Sequence, residues 1–452
     1  MIDPQHRSSY GHHVIISRLR KDEKTNDPPV AHSWAADLGP GLASTGSDND
    51  PSGIATYSLA GAQFGLDLAW LCVLSYPSMV AFQLVSSRIA VLTGQGLTSN
   101  MREHYPRAFF YLAVARFLIA NVLNVAADTV AMGVAAHFLW HGSVAVFAGV
   151  ATLLSVALQF TLPYPRYANT LKWLTLSLFA YAGVVIVMRI PWHVLLSAAL
   201  VPHLHWQEHY FSMLLAVLGT TISPYLIFSQ ATQQLEELRL DPEHKPSAEH
   251  NRLLGQQFRK TRKDTLIRTA LSNAVGFFIM AGAAATLYAY GRGLTDIDGA
   301  ANVLEPVAYR YAPQVLALAF IGTALLALPP LAGSAAHAVA GIVESKDKAL
   351  TDRRISLALL VVMLFGGALG VVLTSAHVEP LRLMYWSAVL NGSTATPVMF
   401  MLVLLSTKHS AVGDLSAHWV LRGLCWLATV CAAAALVSLF VLEWSEWKSG
   451  AA

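Results

Sequence analysis

The sequence predicts an all-α integral membrane protein of about eleven transmembrane helices. Its first ten helices are expected to form two five-helix units of opposite orientation, with the first and sixth helices broken. Three observations carry this. Of the 452 residues, 55% are hydrophobic and 13% charged, against about 25% charged in an ordinary soluble domain. Apolar runs close to the roughly 20 residues that cross a bilayer recur from Leu38 to Leu442. Two of these runs, five apart, carry a proline beside polar residues near mid-span.

Residues 1–37 are polar, include His6, His12, His13 and His32, and hold no apolar stretch of signal-peptide kind. They are expected to be a disordered cytoplasmic tail rather than a metal-gathering one. The eleven spans are expected at Leu38–Phe64, Leu68–Leu92, Ala108–Phe138, Ser143–Leu162, Leu171–Met188, Phe211–Ala231, Leu266–Tyr290, Val315–Val343, Ile355–Leu373, Leu383–Leu405 and Trp419–Leu442. Basic residues test that count. They fill the tail and the even connections: Arg102 and Arg107, Arg166, the run from Arg239 to Lys263, Lys346 to Arg354, and Lys408. The odd connections hold none or few, Arg189, Arg292, Arg310 and Arg382. Positive charge marks cytoplasmic loops. The chain therefore reads as a multi-pass protein of the cell (inner) membrane, N-terminus inside and C-terminus outside.

The sixth connection, Gln233 to Asp264, is the longest charged segment and is expected to be a solvated loop. The seventh, Gly293–Ala312, reads as a polar excursion with a short helix. Cys72, Cys425 and Cys431 lie in apolar runs without metal-ligand spacing and are expected to be buried small hydrophobes. A net charge of +3 is too small to point to nucleic acid. No His-Glu-x-x-His or Gly-x-Ser-x-Gly motif points to an enzyme, and nothing calls for a cofactor.

The two broken spans hold the chemistry. The first reads "GSDNDPSG" and the sixth "LGTTISPYLIFSQA". Proline has no N–H and clashes with the carbonyl four residues back. Pro51 thus frees the carbonyl of Ser47, and Pro224 that of Thr220. Irregular backbone at that depth survives only in a protein interior or along a cavity, and an acid there is costly. If residues 38–190 form one unit and 210–405 another, with 417–442 an extra span, the odd span number inverts the second unit. Matched interruptions in two halves point to a transporter's central site. Pro77 and Pro329-Pro330 have no acid beside them and read as simple kinks.

The site would offer the Asp50 carboxylate, the Ser47 and Thr220 carbonyls, and the Thr220 and Ser223 hydroxyls. All are oxygens, which suit hard cations. Asn391, in "AVLNGSTATPVMF" of the tenth span, would touch the ion's water shell. Each has a plainer alternative. Asp50 would cap a helix at a kink, Thr220 and Ser223 would bond back to their own helix, and Asn391 would bond across helices. Asp48 reads as an acid on the ion's way in. His137 and His337 read as packed or interfacial histidines.

The stretch "GPGLASTGSDNDPSGIATYSLAGAQFG" resembles the opening of the Nramp (natural resistance-associated macrophage protein) transporters, with Asp50-Pro51-Ser52-Gly53 and Gly61-Ala62-Gln63-Phe64-Gly65 at the motif positions. "VLTGQGL", "GTTISPYLIFSQA" and "IGTALLALPPLAGSAAHAV" extend the resemblance over roughly residues 37 to 405. It implies the LeuT-type fold and uptake of divalent metal ions across the bilayer. Gly53 stands where the family has an Asn ligand, Ser223 where it has a Met, and Tyr225 where it has a His tied to proton transfer. In the third span Asp128 is kept, but Ala131 replaces a relay glutamate. This pattern is similar to the Nramp-related magnesium transporters.

The chemistry agrees. Thioether sulfur favours softer metals over Mg²⁺, and a hydroxyl removes that preference. Mg²⁺ keeps several waters and takes one or two carboxylates, which small residues at 53 and 223 accommodate. The expected function is import of a divalent cation, Mg²⁺ with Mn²⁺ also fitting, by alternating access without coupled protons. The alternative is a proton-coupled Mn²⁺/Fe²⁺ symporter. An amino-acid or Na⁺ symporter of the same fold stands third, because Asp50 would repel a substrate carboxylate.

Overall fold

The computed structural model describes residues 45–162, 164–239, 247–342, 348–408 and 418–450; the tail with its histidines and the Gly39-Pro40-Gly41 opening of the first span lie outside the described residues. Every regular element among the described residues is helical. Among the described residues, ten helices are long and apolar enough to cross a membrane: Ala69–Thr93, Arg107–Trp140, Val144–Thr161, Ala168–Val187, Glu208–Glu236, Phe258–Tyr290, Glu305–Ile342, Leu350–Ser375, Pro380–Thr407 and Trp419–Trp444. They stand at the places expected for the second to eleventh spans. The described part of the first span is a turn at 45–48 followed by the helix Pro51–Phe64.

Burial sorts the spans into centre and rim. The apolar stretch of the sixth span is 94% buried, that of the fourth only 17% and those of the ninth and eleventh 28%. Leu153, Phe365 and Leu427 on these outer helices are exposed, as lipid-facing side chains are. The helix Pro51–Phe64 packs against the third, sixth, seventh and tenth spans. The broken helices therefore sit at the centre, where irregular backbone is sheltered from hydrocarbon.

Prolines act differently by position. The second span runs unbroken through Pro77 and the eighth through Pro329 and Pro330. The chain leaves the helix at Asp50, before Pro51, and at Ile222, before Ser223-Pro224. In both places a polar side chain satisfies the backbone that the break strands.

Three expectations change. The sixth connection is largely helix: one helix ends at Arg239, the next runs Ser247–Thr286, and only 240–246 lie outside the described residues. Hydropathy measures the bilayer's thickness, whereas a charged helix continues beyond it. The fifth span contains a 3₁₀ segment, Leu174–Phe179, ahead of the helix Ala180–Val187. Cys72 and Cys425 are buried, but Cys431 is exposed on the rim helix. A thiol facing lipid stays in an apolar medium without being packed. The seventh connection carries two short helices, Ile297–Asn302 and Glu305–Ala308.

Candidate functional site

The first break is built from Thr45 to Gly53. A residue before proline is pushed out of the helical region, and Asp50 accordingly sits at φ −62°, ψ 166°. Its Oδ1 accepts a hydrogen bond from the Gly53 N–H at 2.7 Å, an N-cap on the helix that Pro51 begins. The capping role is thus real for one oxygen. A carboxylate has further lone pairs, so capping and ion binding are compatible.

The turn before the break is held from other helices. The Asn49 amide donates to the Thr45 carbonyl at 3.0 Å and to Ser272 Oγ of the seventh span at 2.9 Å. The Ser47 carbonyl is not free, as the proline argument requires it to be. Tyr225 Oη of the sixth span donates to it at 2.9 Å. Asp48 faces inward rather than lying on an open path. It is buried, and its Oδ2 lies 3.7 Å from Arg268 Nε.

The sixth break separates Glu208–Thr221 from Pro224–Arg239. Ile222, at φ −115° and ψ 57°, leaves the helix. Ser223 Oγ donates to the carbonyls of Gly219 at 2.6 Å and Thr220 at 3.2 Å. The bond back to its own helix is therefore made, and the Thr220 carbonyl already has a donor. The serine oxygen keeps lone pairs for a cation. Thr220 turns its methyl toward Gly53: a Cβ at position 53 would fall 2.8 Å from Thr220 Cγ2 and 3.1 Å from Asp50 Oδ1. Only glycine lets the two broken spans approach this closely.

Asp50, Thr220, Ser223, Ser47 and Asn391 are each at most 6% exposed. Contacts join Asp50, Gly53 and Thr220 directly, and join Ser47 to Tyr225 beside Ser223. Asn391 is placed less directly. It precedes Gly392, whose backbone abuts Gly219, since a Cβ on Gly219 would fall 2.2 Å from the Gly392 nitrogen. The tenth span thus crosses the sixth next to Thr220. A cleft of about 250 Å³ lined by Leu59, Gln63, His209, Glu379 and Tyr385 lies toward the other end of Pro51–Phe64. Nine residues, about 13 Å of helix, separate Leu59 from Asp50, and a Tyr385–Ser212 hydrogen bond of 2.6 Å braces the tenth span against the sixth there.

Among the described residues, no group of three or more His, Cys, Asp or Glu is arranged to hold a metal. Asp128 is fully buried in the third span, and neither of its carboxyl oxygens has a hydrogen-bond partner among the described residues. It lies within electrostatic range of Asp50. Along the same helix Asn124 accepts from Ser387, and Arg116 donates to Ser393 Oγ at 2.9 Å, both on the tenth span. His137 bonds the Gly142 carbonyl at 2.6 Å, and His337 faces Glu236 at 3.8 Å, so neither joins the site. Sequence reading missed Arg268. Its signal was present, a cation two residues inside an expected span, but the adjoining basic run masked it.

The family model for natural resistance-associated macrophage protein-like (Nramp) sequences matches residues 41–442. The chain belongs to the Nramp family. The divalent metal cation transporter MntH of Klebsiella pneumoniae subsp. pneumoniae is 28% identical to it over 406 residues, covering 86% of this chain and 90% of that one. Among solved structures, the Eremococcus coleocola manganese transporter superposes on this Nramp chain with a TM-score of 0.66 at 16% identity, covering 94% and 90% of the two chains. MhsT in complex with L-phenylalanine gives 0.57 at 14% identity, covering 92% and 99%. The fold is the LeuT type, with its first and sixth helices broken.

Proposed function

We propose that this Nramp protein imports a divalent metal cation by alternating access, with Mg²⁺ as its principal cargo, Mn²⁺ as a second, and no coupled proton. One observation carries the reading. The Asp50 carboxylate at the first break is gathered with oxygens, and among the described residues at the two breaks neither sulfur nor imidazole joins them. Such shells suit hard cations. Asp50, Thr220 and Ser223 would face the ion, and Ser47, Gly53 and Asn391 would bound its water shell. The Ser47 carbonyl keeps a second lone pair despite Tyr225. The units 38–190 and 210–405 would move against each other, with 417–442 outside both. The N-terminus would lie in the cytoplasm and the C-terminus outside.

Tyr225 donates its hydroxyl to the Ser47 carbonyl, and the Ala131 side chain has no proton to transfer. The membrane potential would drive influx, with about 2.3 kcal/mol per charge per 100 mV. A second reading, a proton-coupled Mn²⁺/Fe²⁺ symporter, is favoured by the relatives' names and by the unpartnered Asp128. Uptake of Mg²⁺, Mn²⁺ and Ca²⁺ into proteoliposomes, with the potential clamped by valinomycin and lumenal pH followed, separates them. Mg²⁺ influx should follow the potential and ignore a pH step. Metal-dependent acidification of the lumen would replace this reading with the symporter.

A further inference from the structure

Arg268 is a cation inside the seventh span, where a charge is costly unless it is partnered. Its side chain is 16% exposed. Its Nη2 donates to the side-chain oxygens of Gln83 on the second span and, at 2.9 Å, of Gln230 on the sixth. Its Nε faces Asp48 at 3.7 Å, beyond hydrogen-bond distance, and neither Nε nor Asp48 Oδ2 has a hydrogen-bond partner among the described residues. A guanidinium–carboxylate pair kept for stability normally closes to about 2.8 Å, often with two bonds. Here two neutral amides hold the arginine, and the acid's Oδ2 faces it without a hydrogen bond among the described residues. Ser272, one helical turn beyond Arg268, receives the Asn49 amide and fixes the seventh span against the break. Asp48 lies two residues from Asp50, within electrostatic range of it.

We propose that Asp48 is a second carboxylate for the transported ion, held in reserve by Arg268 acting as a tethered internal cation. The inference rests on a divalent cation binding at Asp50. With Asp48 neutralised, the empty site presents the charge of Asp50. An arriving ion repels the guanidinium, which keeps Gln83 and Gln230 as Asp48 turns to the ion. On release Arg268 takes Asp48 back. Arg268 is thus a positioning residue that sets affinity and release without touching the metal.

The test is Mn²⁺ binding to the purified full chain by calorimetry, with Mg²⁺ as competitor. Arg268→Gln leaves Asp48 uncompensated and should tighten binding about tenfold, a modest fraction of one close charge in a protein interior. Asp48→Asn leaves a bare guanidinium beside the ion and should weaken binding about tenfold. The double variant removes both charges and should return to within about threefold of the parent. Arg268→Lys, which keeps the charge, should bind as the parent does. Single changes that shift affinity in the same direction, or a double variant no better than Asp48→Asn, would overturn the proposal. The second result would make Asp48 an ordinary ligand. If Arg268→Gln does not fold, Asp48→Asn and the double variant decide by themselves. Should the parent bind neither ion, or Asp50→Ala bind as the parent does, the functional reading fails and this one with it. Binding that needs Asp50 but shows no sign reversal overturns the arginine's role alone.

Discussion

Proline interrupts two spans, and the stranded backbone is satisfied in opposite ways. At Pro224 the remedy is local and neutral: one hydroxyl, Ser223 Oγ, serves the Gly219 and Thr220 carbonyls of its own helix. At Pro51 it is distant and partly charged. Tyr225 of the sixth span serves Ser47, Ser272 of the seventh holds Asn49, and Arg268 faces Asp48. The backbone of the first break is therefore held by two other spans, whereas that of the sixth is held from within its own helix. A carrier that alternates between two faces needs one element whose movement is felt elsewhere. The turn before Pro51 is tied in this way: moving it would release bonds to the sixth and seventh spans.

The largest expected effect separates the two jobs of Asp50. Asn is as good an N-cap as Asp, whereas Ala costs about 1 kcal/mol of helix stability. Asp50→Asn and Asp50→Ala should both lower Mg²⁺ uptake by about a hundredfold or more, since a unit charge near the ion is lost. Only Asp50→Ala should also lower the unfolding temperature. Uptake retained by Asp50→Asn would reduce Asp50 to a cap and leave the first break without its proposed function.

Next comes selectivity, which probes the sixth break. Ser223→Met puts a thioether where the hydroxyl lies and should raise Cd²⁺ affinity relative to Mg²⁺ by about tenfold. Adding Gly53→Asn should sharpen the change but must displace the Thr220 methyl, since a Cβ there falls 2.8 Å from it. The two sites are coupled, so both single variants belong in the series. An unchanged ratio by calorimetry would show that residue 223 does not face the ion.

Both breaks, with Asp50 at the first, were legible as breaks because a proline beside polar residues stands out in an apolar run. What satisfies the breaks was legible only for Ser223, whose partners lie three and four residues away. Tyr225 and Ser47 are 178 residues apart, and no periodicity reports which helices touch. Arg268 was hidden for a related reason. It lies two residues inside an expected span, directly after a basic run that drew the reading to the loop, and no periodicity shows that Asp48 and the glutamines face it.

Stability should show the same asymmetry. Tyr225→Phe removes the donor that the structure gives the buried Ser47 carbonyl and releases the sixth span from the first. The expected cost is about 1–2 kcal/mol, seen as a lower unfolding temperature in detergent and a faster loss of transport on heating.

The smallest effect is expected at Ser223→Ala. This change strips a donor from two carbonyls at once, and by simple counting should cost more than Tyr225→Phe. Both carbonyls, however, end a helix beside the proposed ion site, where water of the cargo's shell can replace the hydroxyl. Hydrogen bonds between side chains inside membranes average about 0.6 kcal/mol, partly because lost partners are replaced. At Ser47, by contrast, the lost hydroxyl is also the tether from the sixth span to the first, which water does not replace. Ser223→Ala should therefore shift the unfolding temperature by less than Tyr225→Phe, and added Mg²⁺ should recover most of the shift. A larger loss at Ser223 that Mg²⁺ does not restore would mean that the sixth break, and not the first, braces the two halves of the protein.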